Sequence, residues 1–245
     1  MKLGVVIPYY NGAKFIARCL DTIEPSSLSD VFVVDNSEDP ADISKKVRLI
    51  RSEESKIGFG AAVNLGLEKV YESTYDYVLV LNQDAYFAQG HFQKLVDYLE
   101  NNILDRFASP MIYKEDLQAE MPFIMERYFP NGSPTEAKDI DDFVGVALIA
   151  PVVLMKSLRG FDTRYFMYYE DNDIIARSEI EKPVRILPFV HVAHHNPELL
   201  DDSPMPIEKQ RWQRRSELRY QWKHGNRLNW FISMIKHVIK LALGK

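Results

Sequence analysis

The sequence has a single cysteine, Cys19, among 245 residues, so it cannot form an internal disulfide. Cys19 falls on the apolar side of a predicted helix, and we interpret it as a core residue of a protein from a reducing compartment. No stretch approaches the roughly 18 continuous apolar residues of a membrane span. The first residues, MKLGVVIPYY, run directly into a predicted strand without the apolar region of a signal peptide. These absences exclude a disulfide scaffold and predict a cytoplasmic protein.

Two common site motifs are also missing. Three of the six histidines lie within five positions, at His191, His194 and His195, but they have neither cysteine partners nor HExxH spacing, which argues against a zinc site. The glycines of Gly58-Phe59-Gly60 are not a full dinucleotide fingerprint, and no acidic residue follows at the expected distance. The motifs therefore predict neither a zinc enzyme nor a dehydrogenase.

Short apolar runs alternate with helical patterns through the first hundred residues. The runs that we interpret as strands are 3–7, 31–34, 47–50 and 77–81. An alternating βαβα order predicts an α/β fold whose mostly parallel sheet is flanked by helices. In such sheets, ligands bind at the carboxyl ends of the strands.

Polar residues follow three of these predicted strands, in the segments 8–11, 35–37 and 82–84. Each segment alone is explained by ordinary turn chemistry. Asp84 comes directly after the apolar run Val78 to Leu81, however, and a carboxylate buried there must be paired or bound to a metal. Three polar strand ends at one edge of a sheet indicate a single binding site.

A second group of polar residues follows the segment 143–162. Here Tyr169 precedes Glu170-Asp171-Asn172-Asp173, which places three carboxylates within four positions. One interpretation is that Asp171 or Asp173 caps a helix, because acidic residues favour helix starts and an apolar stripe begins at Ile174. The other is a general base held beside an apolar pocket.

These motifs, taken together, resemble family 2 glycosyltransferases of the GT-A fold, and specifically their bacterial rhamnosyltransferase-like branch. The resemblance covers about residues 3 to 195 and rests on VVIPYYN, VVDNS, GFGAAVNLGL, LNQDA and GFDTRYFMYYEDNDIIARS with a downstream histidine. It implies a GT-A domain over 1–200 that binds a nucleotide diphosphate sugar. The residues that it implies for donor binding are Pro8, Tyr10, Asp35, Asn36, Gly58, Asn64, Asn82 and Gln83.

The resemblance also implies a metal site and a catalytic base. Asp84 is expected to bind Mg²⁺ or Mn²⁺, with His194 as the second protein ligand and His195 as its alternative. LNQD lacks the first aspartate of a full DxD motif. Asp171 is the expected base, and Gly145, Tyr169 and Glu170 are expected on the acceptor side.

The remaining segment, 201–245, is predicted to be a basic helical appendage. Residues 209–245 contain ten Lys or Arg and one acidic residue, although the whole chain carries a net charge of −5. Nucleic-acid binding is not predicted, since the rest of the chain is acidic and has no nucleic-acid motif. The end of the segment is amphipathic, which fits either a helix packed on the domain or in a homodimer interface, or a helix lying on an anionic membrane. A lipid-linked acceptor favours the membrane-bound helix. The protein would then be peripheral on the inner face of the cell membrane.

The resulting hypothesis is an inverting transferase that moves L-rhamnose from dTDP-L-rhamnose to a hydroxyl of a polyprenyl-linked or polysaccharide acceptor, in the synthesis of a surface glycan such as O-antigen or capsule. UDP-galactofuranose and UDP-hexoses remain alternative donors, because donor choice depends on pocket shape. The incomplete DxD motif leaves a non-catalytic nucleotide-sugar scaffold open. A sugar nucleotidyltransferase is disfavoured, since no glycine-rich, lysine-containing loop follows the first strand.

Overall fold

A computed structural model describes residues 1–23, 29–39, 42–43, 47–114, 129, 135–141, 145–195, 205–225, 227–228, 230–232 and 234–235. The strands are β1 (Leu3–Tyr9), β2 (Ser29–Asp35), β3 (Arg48–Arg51), β4 (Tyr77–Leu81), β5 (Ala85–Phe87), β6 (Phe107–Lys114), β7 (Lys138–Ile140), β8 (Ala147–Pro151) and β9 (Val184–His194). The helices are α1 (Ala13–Asp21), α2 (Phe59–Tyr71), α3 (His91–Asn101), α4 (Val152–Ser157), α5 (Glu170–Ser178) and α6 (Ile207–His224).

All of these strands belong to one sheet, in the order β3-β2-β1-β4-β8-β6-β9-β5, with β7 also paired to β9. The four strands β3, β2, β1 and β4 are parallel to one another, as the alternating pattern predicts. β8 is antiparallel to β4 and β6, and β5 is antiparallel to β9. The predicted α/β fold is confirmed, but the described sheet is mixed rather than mostly parallel, since four of its eight strand pairs are antiparallel. Its parallel half carries the motifs that are expected to bind the donor.

The central strands bury both faces, because helices cover the sheet on each side. Along β1, alternate residues point to opposite faces, so that Val5 packs with α1 and α3 while Val6 packs with α2. A Cβ on Gly66 of α2 would lie 2.4 Å from Val6 Cγ1, so only glycine lets this helix approach the sheet so closely. Cys19 is fully buried in the layer with α1, which confirms its prediction as a core residue.

The strand directions bring the polar segments to one edge. Asp35 is aligned with Tyr9 on β1 and with Arg51 on β3. The antiparallel β8 begins at this same edge, because the Asn82 backbone N–H donates to the Val146 carbonyl at 2.9 Å. The segment that precedes β8 is therefore held beside the end of β4.

Helix α6, from the segment predicted as an appendage, packs on the domain. Ser216 Oγ donates to the Met167 carbonyl at 2.9 Å, and the ring of Trp212 lies 4.7 Å from that of Phe166. No helix among the described residues is long and apolar enough to cross a membrane. Residues 236–245, the end of the predicted amphipathic helix, lie outside the described part of the chain.

Candidate active site

The end of β1 is fastened by a side chain from the end of β4. The Tyr10 N–H donates to Gln83 Oε1 at 2.9 Å, and Gln83 Nε2 donates back to the Tyr10 carbonyl at 3.1 Å. A Cβ on Gly12 would lie 2.4 Å from Gln83 Cδ, so the glycine makes room for this amide. Pro8, two residues before Tyr10, is buried. The structure thus gives Gln83 a supporting role, and its predicted contact with the donor stays a prediction.

The end of β2 buries a charge. The side chain of Asp35 is fully buried. Its Oδ2 forms an ion pair with Arg51 Nη1 at 3.1 Å, and its Oδ1 accepts a hydrogen bond from the Ser37 N–H at 2.9 Å. Asn36 is also buried, and its Nδ2 donates to the Tyr9 carbonyl at 2.7 Å. A buried carboxylate needs such partners. The predicted donor residues Asp35 and Asn36 therefore form a rigid end to the strand, next to that of β1.

Helix α2 connects the loop before α5 to the sheet edge where the predicted donor residues lie, which we call the donor edge. Gly58 has φ +91°, and a Cβ there would lie 2.6 Å from the Phe166 carbonyl oxygen, which accepts from the Phe59 N–H at 3.0 Å. The Asn64 side chain makes two bonds of 2.9 Å with the backbone of Phe161. Asn64 thus positions this loop, and its predicted contact with a nucleotide stays a prediction.

Asp84 and His194 come together where β5 and β9 pair. Ala85 is aligned with His194, and His194 Nε2 lies 3.3 Å from Asp84 Oδ1. The other ring nitrogen, Nδ1, is buried with no hydrogen-bond partner among the described residues. The ring of His195 instead packs against Phe15, with centroids 4.6 Å apart. The geometry therefore favours His194 over His195 as the partner of Asp84.

This pair fits a shared cation. Mg²⁺ holds six ligands at about 2.1 Å, which places neighbouring ligand atoms about 3 Å apart, close to the separation of the Asp84 and His194 atoms. Among the described residues, no group of three or more acidic, histidine or cysteine side chains could hold a metal. Two protein ligands leave positions for phosphate oxygens and water, the usual arrangement for Mg²⁺.

Asp171 lies in the first turn of α5, against Gly145. A Cβ on Gly145 would lie 2.4 Å from Asp171 Oδ2, so the absence of a side chain leaves space for the carboxylate. The N-cap residue of α5 is Tyr169, whose side chain makes no capping hydrogen bond, so the prediction that Asp171 or Asp173 is the cap is wrong, although both lie in the acidic first turn. Both Tyr168 and Tyr169 have positive φ, 69° and 65°, a costly conformation that often occurs at functional sites. The turn places Asp171 at the helix start, facing Gly145.

Glu170 and Asp171 have different environments. Glu170 is only 7% exposed, and its Oε2 has no hydrogen-bond partner among the described residues. Burial, and then the charge of Asp171, raises the pKa of Glu170 to about 8. Asp171 is less buried, and its Oδ1 accepts from the Asn172 N–H at 2.8 Å. Glu170 is therefore neutral at pH 7, which leaves Asp171 as the member of the pair suited to accept a proton.

The third acid, Asp173, has a structural environment that the sequence did not reveal. Its side chain is fully buried and bonds to Arg177, Lys223 and His224 at 2.7, 2.7 and 2.8 Å. Burial would raise the pKa of Asp173, but the hydrogen bonds from these three side chains outweigh it and lower the pKa. Asp173 thus joins α5 to α6. No local pattern signals this contact, because Lys223 and His224 are about 50 residues away.

The residues predicted for the donor and for the acceptor side are connected through the two residues that precede β8. The Asn82 N–H donates to the Val146 carbonyl, and the adjacent Gly145 touches Asp171. Asn82 Oδ1 is buried with no hydrogen-bond partner among the described residues. This short path places the end of β4 and the start of α5 at one edge of the sheet.

A model of the family described as "Glycosyl transferase family 2" matches residues 4–147, more than half of the chain. The chain belongs to glycosyl transferase family 2. Among curated proteins, this family 2 glycosyltransferase is 27% identical over 114 residues to "Uncharacterized glycosyltransferase EpsJ" of Bacillus subtilis (strain 168). That alignment covers 42% of this chain and 32% of the relative, so the match spans about a third of the relative's length.

Solved structures show the same fold. S. aureus TarS 1–349 in complex with UDP has a TM-score of 0.60 and 17% identity, covering 90% of this chain and 72% of that one. GalNAc-T7 with UDP, GalNAc and Mn²⁺ has a TM-score of 0.61 and 14% identity, covering 80% of this chain and 44% of that one. At these identities the likeness concerns the fold alone. It confirms the GT-A expectation for this family 2 glycosyltransferase.

Proposed function

We propose that this family 2 glycosyltransferase transfers a sugar from a nucleotide diphosphate donor to an acceptor hydroxyl, with inversion at the anomeric carbon and Asp171 as the base. The observation that carries the proposal is the pair formed by Glu170 and Asp171. Burial keeps Glu170 neutral, while Asp171 occupies the space left by Gly145 beside the end of β4. A base at the edge where donors bind can act on the acceptor.

The chemistry requires one proton transfer and one displacement. Asp171 takes the proton of the acceptor hydroxyl as its oxygen attacks the anomeric carbon, from the face opposite the leaving group. The bond between that carbon and the diphosphate oxygen breaks, its electron pair leaves with the nucleoside diphosphate, and the configuration inverts. Asp84 and His194 are the residues that would hold Mg²⁺ or Mn²⁺, which when bound supplies Lewis-acid neutralisation of the diphosphate. Neutral Glu170 avoids a second negative charge beside the base.

The proposed donor is dTDP-L-rhamnose, and UDP-galactofuranose or a UDP-hexose is the alternative. TarS has been solved with UDP and with UDP-GlcNAc, and GalNAc-T7 with UDP. These complexes support a nucleoside diphosphate pocket in this fold, and they favour keeping UDP-sugars as alternative donors. The buried Asp35, fixed by Arg51, is proposed to lie near the pyrimidine base.

The proposed acceptor is a polyprenyl-linked or polysaccharide glycan at an anionic membrane. Exposed apolar side chains support a surface contact: Trp222 is 60% exposed, and Leu228, Phe231, Ile232 and Ile235 are exposed as well. Co-sedimentation with phosphatidylglycerol vesicles tests this contact. Binding that is lost in Phe231→Ser supports it, and equal binding by the variant and the wild type counts against it.

The first experiment is calorimetric titration with dTDP, UDP and GDP, each with and without Mn²⁺. We expect metal-dependent binding of one nucleotide, lost in Asp84→Ala and kept in Asp97→Ala, which removes an exposed carboxylate from α3. Absence of binding for all three would refute the donor site. Turnover with the matching donor sugar should fall about 100- to 10,000-fold in Asp171→Asn, with donor binding retained. Donor binding by a wild type that turns over no acceptor would favour the scaffold alternative.

A further inference from the structure

A cavity of about 290 Å³ lies between α6 and the loop that precedes α5. It is lined by Arg164, Phe166, Trp212, Arg215, Ser216 and Arg219. None of these residues belongs to the proposed donor, metal or catalytic groups. Three guanidinium groups in one cavity indicate an anionic ligand, because the planar fork of arginine matches the oxygens of a phosphate or carboxylate.

The three arginines differ in their partners. Arg164 is paired with Asp162, at 2.6 Å between Nη2 and Oδ2. Arg215 and Arg219 make no ion pair with any carboxylate that the structure describes. They are four residues apart on α6, where like charges lie on the same face and repel each other. An anion between them would relieve this repulsion.

The wall of the cavity is fixed in place. Trp212 packs on Phe166, with ring centroids 4.7 Å apart, and Ser216 Oγ donates to the Met167 carbonyl at 2.9 Å. At the far end of α6, Lys223 bonds to Asp162 and to Asp173 at 2.9 and 2.7 Å. The two guanidinium groups on α6 are therefore carried by a helix anchored at both its middle and its end, so that binding has to order the arginine side chains and not the helix.

The cavity is close to the proposed base along the chain. Phe166 is five residues before Asp171, so their separation is at most about 18 Å. Phe166 also accepts a backbone hydrogen bond from Phe59, the first residue of α2. The same loop thus joins the cavity wall to the donor edge and to the base.

We propose that this cavity binds a phosphate group carried by the acceptor and so directs the acceptor hydroxyl toward Asp171. The inference rests on the proposed function for the identity of the acceptor. The charge of the donor diphosphate would be matched elsewhere, by the Mg²⁺ or Mn²⁺ that Asp84 and His194 would hold. The arginines on α6 are thus available for a second phosphate, on the acceptor.

The first test measures phosphate binding without any transferase assay. Methyl phosphate is titrated at constant ionic strength while the fluorescence of Trp212 is followed in a Trp222→Phe, Trp230→Phe background, which removes the other two tryptophans. Replacing both Arg215 and Arg219 by Gln should weaken binding at least about tenfold, as expected when bonds to a charged group are lost. Arg211→Gln removes one positive charge from a position of α6 that is also exposed but lies outside the cavity, and it should change binding less than about twofold. Equal weakening by Arg211→Gln, or no methyl phosphate binding, overturns the proposal.

The second test compares matched acceptors with and without a phosphate group. The double variant should raise KM about tenfold for the phosphorylated acceptor only, with KM for the donor unchanged. If both acceptors are affected equally, the cavity does not recognise phosphate. Loss of binding to phosphatidylglycerol vesicles with methyl phosphate binding intact would assign the arginines to the membrane surface, and would also overturn the proposal.

These outcomes separate the inference from the proposed function. Nucleotide binding and turnover with no effect of the double variant would refute the phosphate cavity alone. Methyl phosphate binding by a protein that binds no nucleotide would refute the transferase proposal and leave a phosphate site without an acceptor.

Discussion

Replacing Glu170 by Gln should stabilise the protein, and the gain should grow with pH. The folded pKa of Glu170 is about 8, against an ordinary value of 4.5. Between these two values the folded protein holds a proton that the unfolded chain has lost, so the free energy of unfolding falls as pH rises. Below pH 4.5 both states are protonated, and above pH 8 both are ionised, so the penalty then stays constant.

The size of the effect follows from the pKa difference. One pH unit within this window corresponds to about 1.4 kcal/mol, so burying Glu170 costs about 3 kcal/mol at pH 7. The side chain is 7% exposed, and solvent therefore screens little of this penalty. The Glu170→Gln substitution keeps the shape of the side chain and removes the titrating proton.

Urea denaturation at pH 5 and pH 7 measures the difference. The advantage of Glu170→Gln over the wild type should increase by about 2 to 3 kcal/mol between the two pH values, because a small part of the penalty is already present at pH 5. Glu68→Gln, which removes an exposed carboxylate from α2, controls for the loss of one negative charge. If Glu170→Gln keeps the pH dependence of the wild type, Glu170 is not the neutral member of the pair, and the assignment of Asp171 as the base loses its electrostatic support.

Three further predictions follow from close contacts. Gly145→Ala places a Cβ 2.4 Å from Asp171 Oδ2 and should lower kcat about 100-fold, because it displaces the proposed base. Donor binding measured by calorimetry should be unchanged. A normal kcat would contradict the role of this contact. Gly58→Ala should destabilise the fold more than Gly90→Ala. Both glycines have positive φ, but only a Cβ at position 58 would collide with the Phe166 carbonyl. Equal thermal midpoints of unfolding for the two variants would contradict an effect of this collision. Lys223→Met should lower the free energy of unfolding by about 2 kcal/mol, because it removes a bond to the buried Asp173. Lys69→Met removes only an exposed ion pair with Glu72 and should lower it by less than about 1 kcal/mol. Similar losses for the two variants in urea denaturation would contradict the reasoning.

The sequence predicted the parallel half of the sheet because its signals are local. The apolar runs that become β1, β2 and β4 are each followed by polar residues, and parallel strands must bring those residues to one edge. Local sequence signals do not predict the pairing of Asp84 with His194, because the two residues are 110 positions apart and meet only through the antiparallel pairing of β5 with β9. The resemblance to a family supplied that contact.

Some roles were not predictable from the residues alone. Gln83 and Asn64, which are expected at the donor, also bond to backbone through their amide groups, and the sequence did not predict these bonds. The three carboxylates at the start of α5 look equivalent in sequence. Burial favours the neutral form of Glu170, and cations from α6 pair with Asp173, so the surrounding structure gives the carboxylates different environments.

By itself, the sequence determined the strands of the parallel half and the order of the site motifs, because apolar periodicity and strand ends are properties of neighbouring residues. The tertiary structure alone decided which carboxylate is buried, which is paired and which faces Gly145. It also decided that a basic segment distant in sequence packs on the loop before α5 and places Arg215 and Arg219 in a cavity beside Phe166. Desolvation and charge pairing depend on contacts between residues far apart in the chain, and only the folded protein makes those contacts.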